Sequence, residues 1–131
     1  MPSMQAVIMS RTGGPEVLEV LSLPVPELPS PRHVRVRLHA AGINPVDTKL
    51  RANGTYYPDR LPAILGCDGA GVVESVGDKG TRFQSGDKVY FCSGGIGGEP
   101  GNYATYNSVH EDYIARMPSN LDFTAAAAVP L

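Results

Sequence analysis

Hydrophobic and polar residues alternate most regularly in the segment from residue 33 to residue 41. The apolar positions of this segment are Val34, Val36, Leu38 and Ala40, and the polar ones between them are His33, Arg35, Arg37 and His39. A period of two residues is typical of a strand with one buried face and one face in water. The pattern therefore predicts a strand over 33–41, with His33 and His39 as solvated side chains on its exposed face.

Shorter apolar runs on both sides of this segment predict further strands. Residues 5–11 and 17–23 flank the turn-forming sequence Thr12-Gly13-Gly14-Pro15, and this arrangement predicts a β-hairpin. The four prolines within 24–31 predict an extended loop. Towards the C-terminus, strands are predicted over 88–92, 102–109 and 113–117, with turns at 77–80, 85–87 and 110–112 and a flexible loop at 93–101.

Two short helices are predicted, the first of them from the residues at its ends. Asn44 is a favoured N-cap, Pro45 suits the first helical position, and Asp47 places a carboxylate in the first turn. Gly54 is suited to a left-handed C-cap. The second helix is the run of alanines at 125–128, capped by Asp122 or Thr124, and it would be marginal alone because little partner surface is expected behind it.

Glycines are concentrated in residues 65–77. Gly69 and Gly71 resemble the first two glycines of a dinucleotide-binding fingerprint, but Glu74 takes the place of the third, and Gly77-Asp78 interrupts the segment before a helix can begin. The valines that follow the glycines favour a strand. We therefore expect closely packed backbone here, and no phosphate-binding loop.

Composition narrows the class of protein. The 131 residues are enough for one domain, and the twelve prolines and fifteen glycines favour short strands in a barrel or sandwich over long helices. A net charge of −2 without basic clusters speaks against nucleic-acid or anionic-lipid partners. The sequence shows neither a membrane span nor a signal peptide, so a cytoplasmic location is expected. Cys67 and Cys92 imply no disulfide framework, and both are expected to be buried.

Taken together, these motifs resemble the medium-chain dehydrogenase/reductase superfamily. Gly66, Gly71, Val73 and Gly77 match its zinc-ligand signature Gly-His-Glu-x-x-Gly-x-Val-x-x-x-Gly, while Cys67 stands at the histidine and Asp68 at the glutamate. The order and spacing of further segments are similar to the zinc-free quinone reductases of the zeta-crystallin group. These segments are residues 13–18, 41–48, 83–90 and 102–106.

The resemblance implies a mainly β fold, a GroES-like and partly open β-barrel with short helices. Residues 1–131 would be the substrate-side domain, and the end near 122–131 would lead towards an absent nucleotide-binding Rossmann domain. The full-length protein would be an NADPH-dependent reductase of quinones or α,β-unsaturated carbonyl compounds, acting without zinc on a small-molecule substrate and forming a homodimer. This chain alone is expected to be inactive.

The resemblance also assigns site residues. Asn44 stands where metal-dependent members carry a zinc-binding cysteine, and since an amide is a poor zinc ligand, it would instead donate a hydrogen bond to a substrate carbonyl and contact the cofactor. Tyr57, with Tyr56 as its rival, would orient a ring or donate a proton, and Asp47 would support Asn44. Lys49, together with Arg51, would hold a cofactor phosphate. Each of these residues also has a simpler explanation. Asn44 could only cap the helix, Tyr57 could be an ordinary aromatic residue of a surface loop, and Asp47 could only interact with the helix dipole. Lys49 and Arg51 could be solvated side chains at the end of the helix.

Two alternatives remain at this point. A non-catalytic GroES-like barrel could bind a protein partner through the glycine-rich loop at 93–101, although such a barrel would need neither the Asn44 helix nor the 66–77 signature. A zinc-independent enoyl-thioester reductase is not distinguished from a quinone reductase by these residues.

Overall fold

The computed structural model describes residues 2–78 and 82–131 as seven strands and two short α-helices. The turn predicted at 77–80 lies partly outside the described residues. No helix in the described part of the chain is long and apolar enough to cross a membrane. The strands are β1 (Ser3–Met9), β2 (Leu18–Pro24), β3 (His33–Gly42), β4 (Asp68–Val76), β5 (Lys88–Cys92), β6 (Tyr106–His110) and β7 (Ile114–Arg116). The helices are α1 (Pro45–Asn53) and α2 (Phe123–Ala127), and single 3-10 turns lie at Pro15–Val17 and Glu111–Tyr113.

The strands form two antiparallel sheets, and the predicted mainly β fold is confirmed. β1 and β2 form the predicted hairpin, while the larger sheet has the order β6-β3-β4-β5-β7. This larger sheet is open, with β6 and β7 at its edges. Its central pair is β3 and β4, and their register places Gly42 opposite Asp68. The end of β3 therefore lies beside the beginning of β4.

The main hydrophobic core lies on one face of the five-stranded sheet. Val34 and Val36 of β3 are fully buried, as the alternation predicts. Full burial of one such side chain contributes about 1.5–3 kcal/mol. Leu38 and Ala40 are only half-buried. The register with β4 shifts between Arg35 and Val36 and again between Leu38 and Ala40. The core cluster consists of Val34, Val36, Val73, Phe83, Val89, Phe91, Val109 and Ile114.

The glycines of residues 65–77 lie inside and beside strand β4. The predicted strand is confirmed, and it begins at Asp68, four residues before the first of the valines. A β-carbon at Gly71 would collide with the backbone carbonyl of Arg37 on β3. The glycine is thus explained by the close approach of two neighbouring strands, not by a phosphate.

Helix α1 has the predicted beginning, but its end differs in detail. It follows Asn44 and runs from Pro45 to Asn53. Gly54 is the C-cap, but with φ +111° and ψ 156° it lies outside the left-handed helical region. The prediction of a left-handed cap is therefore wrong, although the conformation is one that glycine adopts far more readily than other residues.

Helix α2 is capped by Asp122, one of the two predicted candidates. Asp122 Oδ1 accepts a hydrogen bond from the backbone N–H of Ala125 at 2.8 Å. Ala126 and Ala127 are buried and pack with Ala70 of β4. The expectation that this helix has almost no partner surface is therefore wrong, because its small side chains allow it to lie directly on the sheet.

The loop at 93–101 is packed, in contrast to the predicted flexible loop. The backbone N–H of Ser93 donates to the Cys67 carbonyl at 2.9 Å, and that of Gly101 donates to the Ile64 carbonyl at 2.9 Å. Gly95, Gly97 and Gly101 are buried. These contacts hold the loop against the segment that precedes β4, so its glycines serve close packing.

Strand boundaries differ from the predictions where long-range pairing decides them. β1 covers residues 3–9 instead of 5–11. The strand predicted over 102–109 begins only at Tyr106, and the residues before it bond to β1. Ala104 forms an isolated bridge with Ala6, and the Tyr103 carbonyl accepts from the backbone N–H of Val7 at 2.8 Å. Such pairings join residues that are far apart in the chain, so the local hydrophobic pattern does not predict them.

Three side chains also depart from their predicted surroundings. Cys67 is buried as expected, but Cys92 is exposed because it lies at the end of β5. His39 is exposed but not simply solvated, since its ring stacks on Phe123 at a centroid distance of 4.4 Å. His33 is half-buried, and its Nδ1 lies 2.7 Å from Ser30 Oγ.

Candidate functional site

The candidate site lies at the junction between β3 and α1, where Asn44 occupies the N-cap position. Its backbone is extended, with φ −122° and ψ 157°, and the residue is half-buried. Asp47, in the first turn of α1, holds the main chain of Asn44, whose backbone N–H donates to Asp47 Oδ2 at 2.8 Å. The structure thus brings together Asn44 and Asp47 as predicted, and it fixes the main chain of Asn44.

The side chain of Asn44 points to the first residue of β4. Asn44 Nδ2 donates to Asp68 Oδ2 at 3.0 Å. The same carboxylate oxygen accepts the backbone N–H of Leu131 at 3.2 Å, so the chain after α2 also reaches this site. Asp68 is 1 % exposed. Its position follows from the β3–β4 register, which places it next to Gly42, two residues before Asn44.

Tyr103 joins the network from the segment that precedes β6. Its hydroxyl lies 2.8 Å from Asp47 Oδ2 and 3.2 Å from the Gly42 carbonyl oxygen. The ring lies against Gly66, which has φ +101° and where a β-carbon would stand 2.8 Å from the ring. Burial, and then the hydrogen bond to Asp47, raise the pKa of Tyr103. The phenol therefore stays protonated and acts as a donor to the carboxylate.

The cluster is rich in acceptor oxygens and poor in cations. Asp47 is 4 % exposed, and Oδ1 of Asp47 and Oδ1 of Asp68 are both buried without a hydrogen-bond partner among the described residues. Burial raises the pKa of the Cys67 thiol to about 11, and the charge of Asp47 adds to the effect. The cluster therefore combines the carboxyl groups of Asp47 and Asp68 with the Tyr103 phenol and the Cys67 thiol.

The donor set does not form a recognisable metal centre. Within residues 2–78 and 82–131, no group of three or more His, Cys, Asp or Glu side chains is placed so that it could hold an ion. Asn44, at the family's ligand position, turns its amide nitrogen to Asp68. An N–H group is a donor and cannot coordinate a cation.

The other predicted site residues lie outside this network. Tyr57 is 42 % exposed, and the Arg60 guanidinium stands 5.3 Å from its ring centroid. Its rival Tyr56 is 70 % exposed. Lys49 is exposed, whereas Arg51 donates from Nε to the Gly13 carbonyl at 3.1 Å. The structure thus connects Asn44 with Asp47, and it gives Tyr57 and Lys49 no hydrogen bond to them among the described residues.

Sequence reasoning missed the roles of Asp68 and Tyr103. Asp68 was noted only as a departure from the family signature, although a carboxylate between buried glycines requires hydrogen-bond donors. Tyr103 lies in a matched segment to which no role was given. Its partner Asp47 is 56 residues away in the chain, so only the fold reveals the pair.

Comparison with known proteins identifies the family of the chain. The family model of the alcohol dehydrogenase GroES-like domain matches residues 30–119. The quinone oxidoreductase of Pseudomonas aeruginosa is 44 % identical over 119 residues, which cover 91 % of this chain and 35 % of that protein. The chain thus spans about a third of the length of this relative.

Solved structures are similar over nearly the whole chain. The quinone oxidoreductase from Coxiella burnetii has a TM-score of 0.91 at 31 % identity, covering 98 % of this chain and 41 % of that protein. A mycobacterial protein complexed with NADPH has a TM-score of 0.77 at 30 % identity, covering 96 % and 38 %. Since the family model matches more than half of the residues, the chain belongs to the alcohol dehydrogenase GroES-like domain family.

Proposed function

We propose that this chain forms the substrate-side domain of a reductase that transfers a hydride from NADPH to a quinone or an α,β-unsaturated carbonyl compound without zinc. Domain and reaction are supported together by the relatives named quinone oxidoreductase and by the NADPH complex of one structural neighbour. Residues 30–119 match the GroES-like domain model, and the chain covers 35 to 41 % of these longer proteins.

The observation that carries the proposal is the position and hydrogen bonding of Asn44. Its amide nitrogen has two hydrogens, and Asp68 accepts one of them. Among the described residues Asp68 is the only hydrogen-bond acceptor for this nitrogen, and we propose that the second N–H donates to the substrate. A donor held in place beside a substrate carbonyl stabilises the negative charge that develops on its oxygen during reduction.

A nicotinamide cofactor would supply the hydride, while the protein supplies orientation and electrostatics. Asn44 and Lys49 are the residues of this chain that we propose to contact it. Lys49 is exposed and has no ion pair among the described residues, which suits an ammonium group that pairs with a phosphate. Tyr57, partly exposed on its loop, is the proposed aromatic wall or proton donor for the substrate ring.

The proposal that zinc is not needed rests on the chemistry of the donors. Asn44 presents N–H to Asp68, and the Cys67 thiol has its pKa raised to about 11 by burial. Zinc is usually held by three or four sulfur, imidazole or carboxylate ligands, and among the described residues no three such side chains are placed together.

The protein-partner alternative receives no support from the packed 93–101 loop, whose backbone is bonded to residues 64 and 67. The homodimer of the full-length protein and its cytoplasmic location stay predictions, with sedimentation and cell fractionation as their tests.

Substrate class is tested with the full-length protein. NADPH oxidation should be followed with a quinone, an α,β-unsaturated ketone and an enoyl thioester under the same conditions. Turnover of the quinone or the ketone is expected, and turnover of the thioester alone would assign the protein to the alternative reductase. No turnover of any acceptor would contradict the proposed function.

The role of Asn44 is tested by Asn44→Ser in the same assay. Serine also caps a helix but places no amide N–H at the same reach, so kcat/KM should fall about ten- to a hundred-fold. The matched control is Thr48→Ala on the same helix, which removes the hydrogen bond from Thr48 Oγ1 to the Pro45 carbonyl outside the network. Wild-type kcat/KM in the serine variant would leave Asn44 as a helix cap only.

A further inference from the structure

The carboxylate of Asp68 is placed to decide how the Asn44 amide is oriented. Asp68 is the first residue of β4, is 1 % exposed, and pairs in register with Gly42 on one side and Cys92 on the other. Pairing on both sides leaves its main chain little freedom. Its Oδ2 atom lies 3.0 Å from Asn44 Nδ2 and 3.2 Å from the backbone nitrogen of Leu131.

The chemistry of the pair allows only one orientation of the amide. Asp68 Oδ2 accepts the backbone N–H of Leu131 and thus acts as an acceptor here, whereas an amide donates from nitrogen and accepts at oxygen. With oxygen turned to Asp68, two acceptors would face each other in a buried place, at a cost typical of unsatisfied polar groups. Nitrogen must therefore face Asp68, and the orientation of Asn44 follows from its neighbour.

The main chain of Asn44 is fixed independently. Its backbone N–H donates to Asp47 Oδ2, and the same oxygen lies 2.8 Å from the Tyr103 hydroxyl. Two carboxylates therefore hold the residue at two points, Asp47 at the backbone and Asp68 at the side chain. Only the second contact controls rotation of the amide.

We propose that Asp68 is a positioning residue, which sets the Asn44 amide so that its remaining N–H is presented to the substrate carbonyl. The proposal rests on the proposed function, in which that N–H donates to the carbonyl as it is reduced. Without Asp68 the amide can turn its oxygen outwards, and an acceptor would then face the developing negative charge. Asp68 itself touches no reacting atom.

A double-mutant cycle in the full-length protein tests the coupling. Asp68→Asn keeps size and shape but can turn its own N–H groups towards Asn44, so kcat should fall about ten-fold with little change in KM. In an Asn44→Ser background the same change should have no further effect on kcat/KM. The control is Glu74→Gln, which alters an exposed carboxylate on the same strand as Asp68. Glu74 Oε2 lies 2.6 Å from Arg35 Nε. Losses that multiply in the double variant would overturn the proposal.

A readout that does not depend on activity keeps this test separate from the proposed function. In the full-length protein labelled with ¹⁵N-asparagine, the side-chain amide signal of Asn44 is identified by its loss in Asn44→Ser. Asp68→Asn should shift this signal and Glu74→Gln should leave it in place, whereas an unmoved signal in Asp68→Asn would overturn the proposal. Asp68→Ser, with the same expectations, replaces Asp68→Asn if that variant does not fold. A shifted signal in a protein without reductase activity would contradict the proposed function and leave the positioning contact standing.

Discussion

Buried polar residues of this domain form connected groups. Asn102, which is 2 % exposed, donates from Nδ2 to the carbonyls of Gly66 and Cys67 at 3.1 and 3.2 Å and accepts at Oδ1 from Asn107 at 2.9 Å. These bonds hold the segment directly before β4, where Asp68 begins the strand. Buried polar groups cost free energy unless they are paired, and here the pairing fixes the backbone beside the candidate site.

Zinc content is the first prediction at the scale of residues. Zinc sites in proteins are built from three or four side-chain ligands, and no three His, Cys, Asp or Glu side chains of the described residues are placed to share an ion. Elemental analysis of the full-length protein, purified without chelators, should therefore find far less than one zinc per chain. Stoichiometric zinc would contradict the prediction and, with it, the zinc-free mechanism. Protein refolded with added zinc provides the control for metal lost during purification.

Glu111 leads to a prediction about pH. It is buried at the edge of the sheet, where Oε1 accepts the backbone N–H of Arg82 at 3.1 Å and Oε2 accepts Arg32 Nε at 2.8 Å. The hydrogen bond from the Arg82 backbone, followed by the charge of Arg32, lowers the pKa of Glu111. Since the folded-state pKa is lowered, the stabilisation is present above the unfolded-state pKa and is lost as pH falls through the folded one.

Glu111→Gln removes this titration and tests the sign of the effect. The variant should melt at a lower temperature than the wild type at neutral pH, and the difference should shrink as the pH falls below about 4. Asp112→Asn is the neighbouring control, because Asp112 is exposed and its Oδ2 lies 3.6 Å from His110 Nδ1. A difference in Tm that stayed constant down to acid pH would show that the charge of Glu111 does not stabilise the fold.

At the scale of elements, the most accurate predictions concern segments whose own residues determine their secondary structure. The alternation of apolar and polar residues predicts β3 to within one residue. The residues at the two ends of α1 predict this helix, with Asn44 as its N-cap. The strand predicted over 102–109 was too long, since Tyr103 and Ala104 pair with β1, about a hundred residues earlier in the chain. The composition of 93–101 indicated flexibility, yet the same glycines permit the close packing that the structure shows.

Strand β4 allows a direct test of this packing argument. Gly71→Ala places a methyl group against the Arg37 carbonyl, which belongs to the backbone and can yield only if β3 and β4 separate. The free energy of unfolding should fall by about 1–3 kcal/mol, as for other overpacked sites. Gly14→Ala is the control, because its new methyl group would meet only the flexible end of the Glu16 side chain. Urea denaturation of both variants measures the difference, and equal stabilities would show that the two strands tolerate a side chain at Gly71.

At the scale of the whole molecule, the candidate site is assembled from segments far apart in sequence. Asn44 follows β3, Asp68 begins β4, Tyr103 precedes β6, and Leu131 follows α2. The family resemblance proposes Asn44 and Asp47 as site residues, and both belong to one local motif. The partners that orient them could not be predicted, since strand register and the approach of α2 decide which side chains meet.

The same architecture predicts how the 131-residue chain behaves with NADPH. A dinucleotide pyrophosphate binds where a strand leads through a glycine turn into the N-terminus of a helix. In the described residues the glycines of 65–77 continue into strand β4, and those of 93–101 are bonded to the segment before it. Lys49 is exposed and could pair with a phosphate, but one ammonium group does not replace such a helix N-terminus. The chain by itself should therefore show no saturable NADPH binding at micromolar concentration in calorimetry, while the full-length protein measured beside it should bind.

Circular dichroism and thermal unfolding must first show that the isolated chain is folded, so that absent binding reflects the lack of a site. Micromolar binding to the folded chain would show that one of these glycine-rich segments holds the cofactor after all.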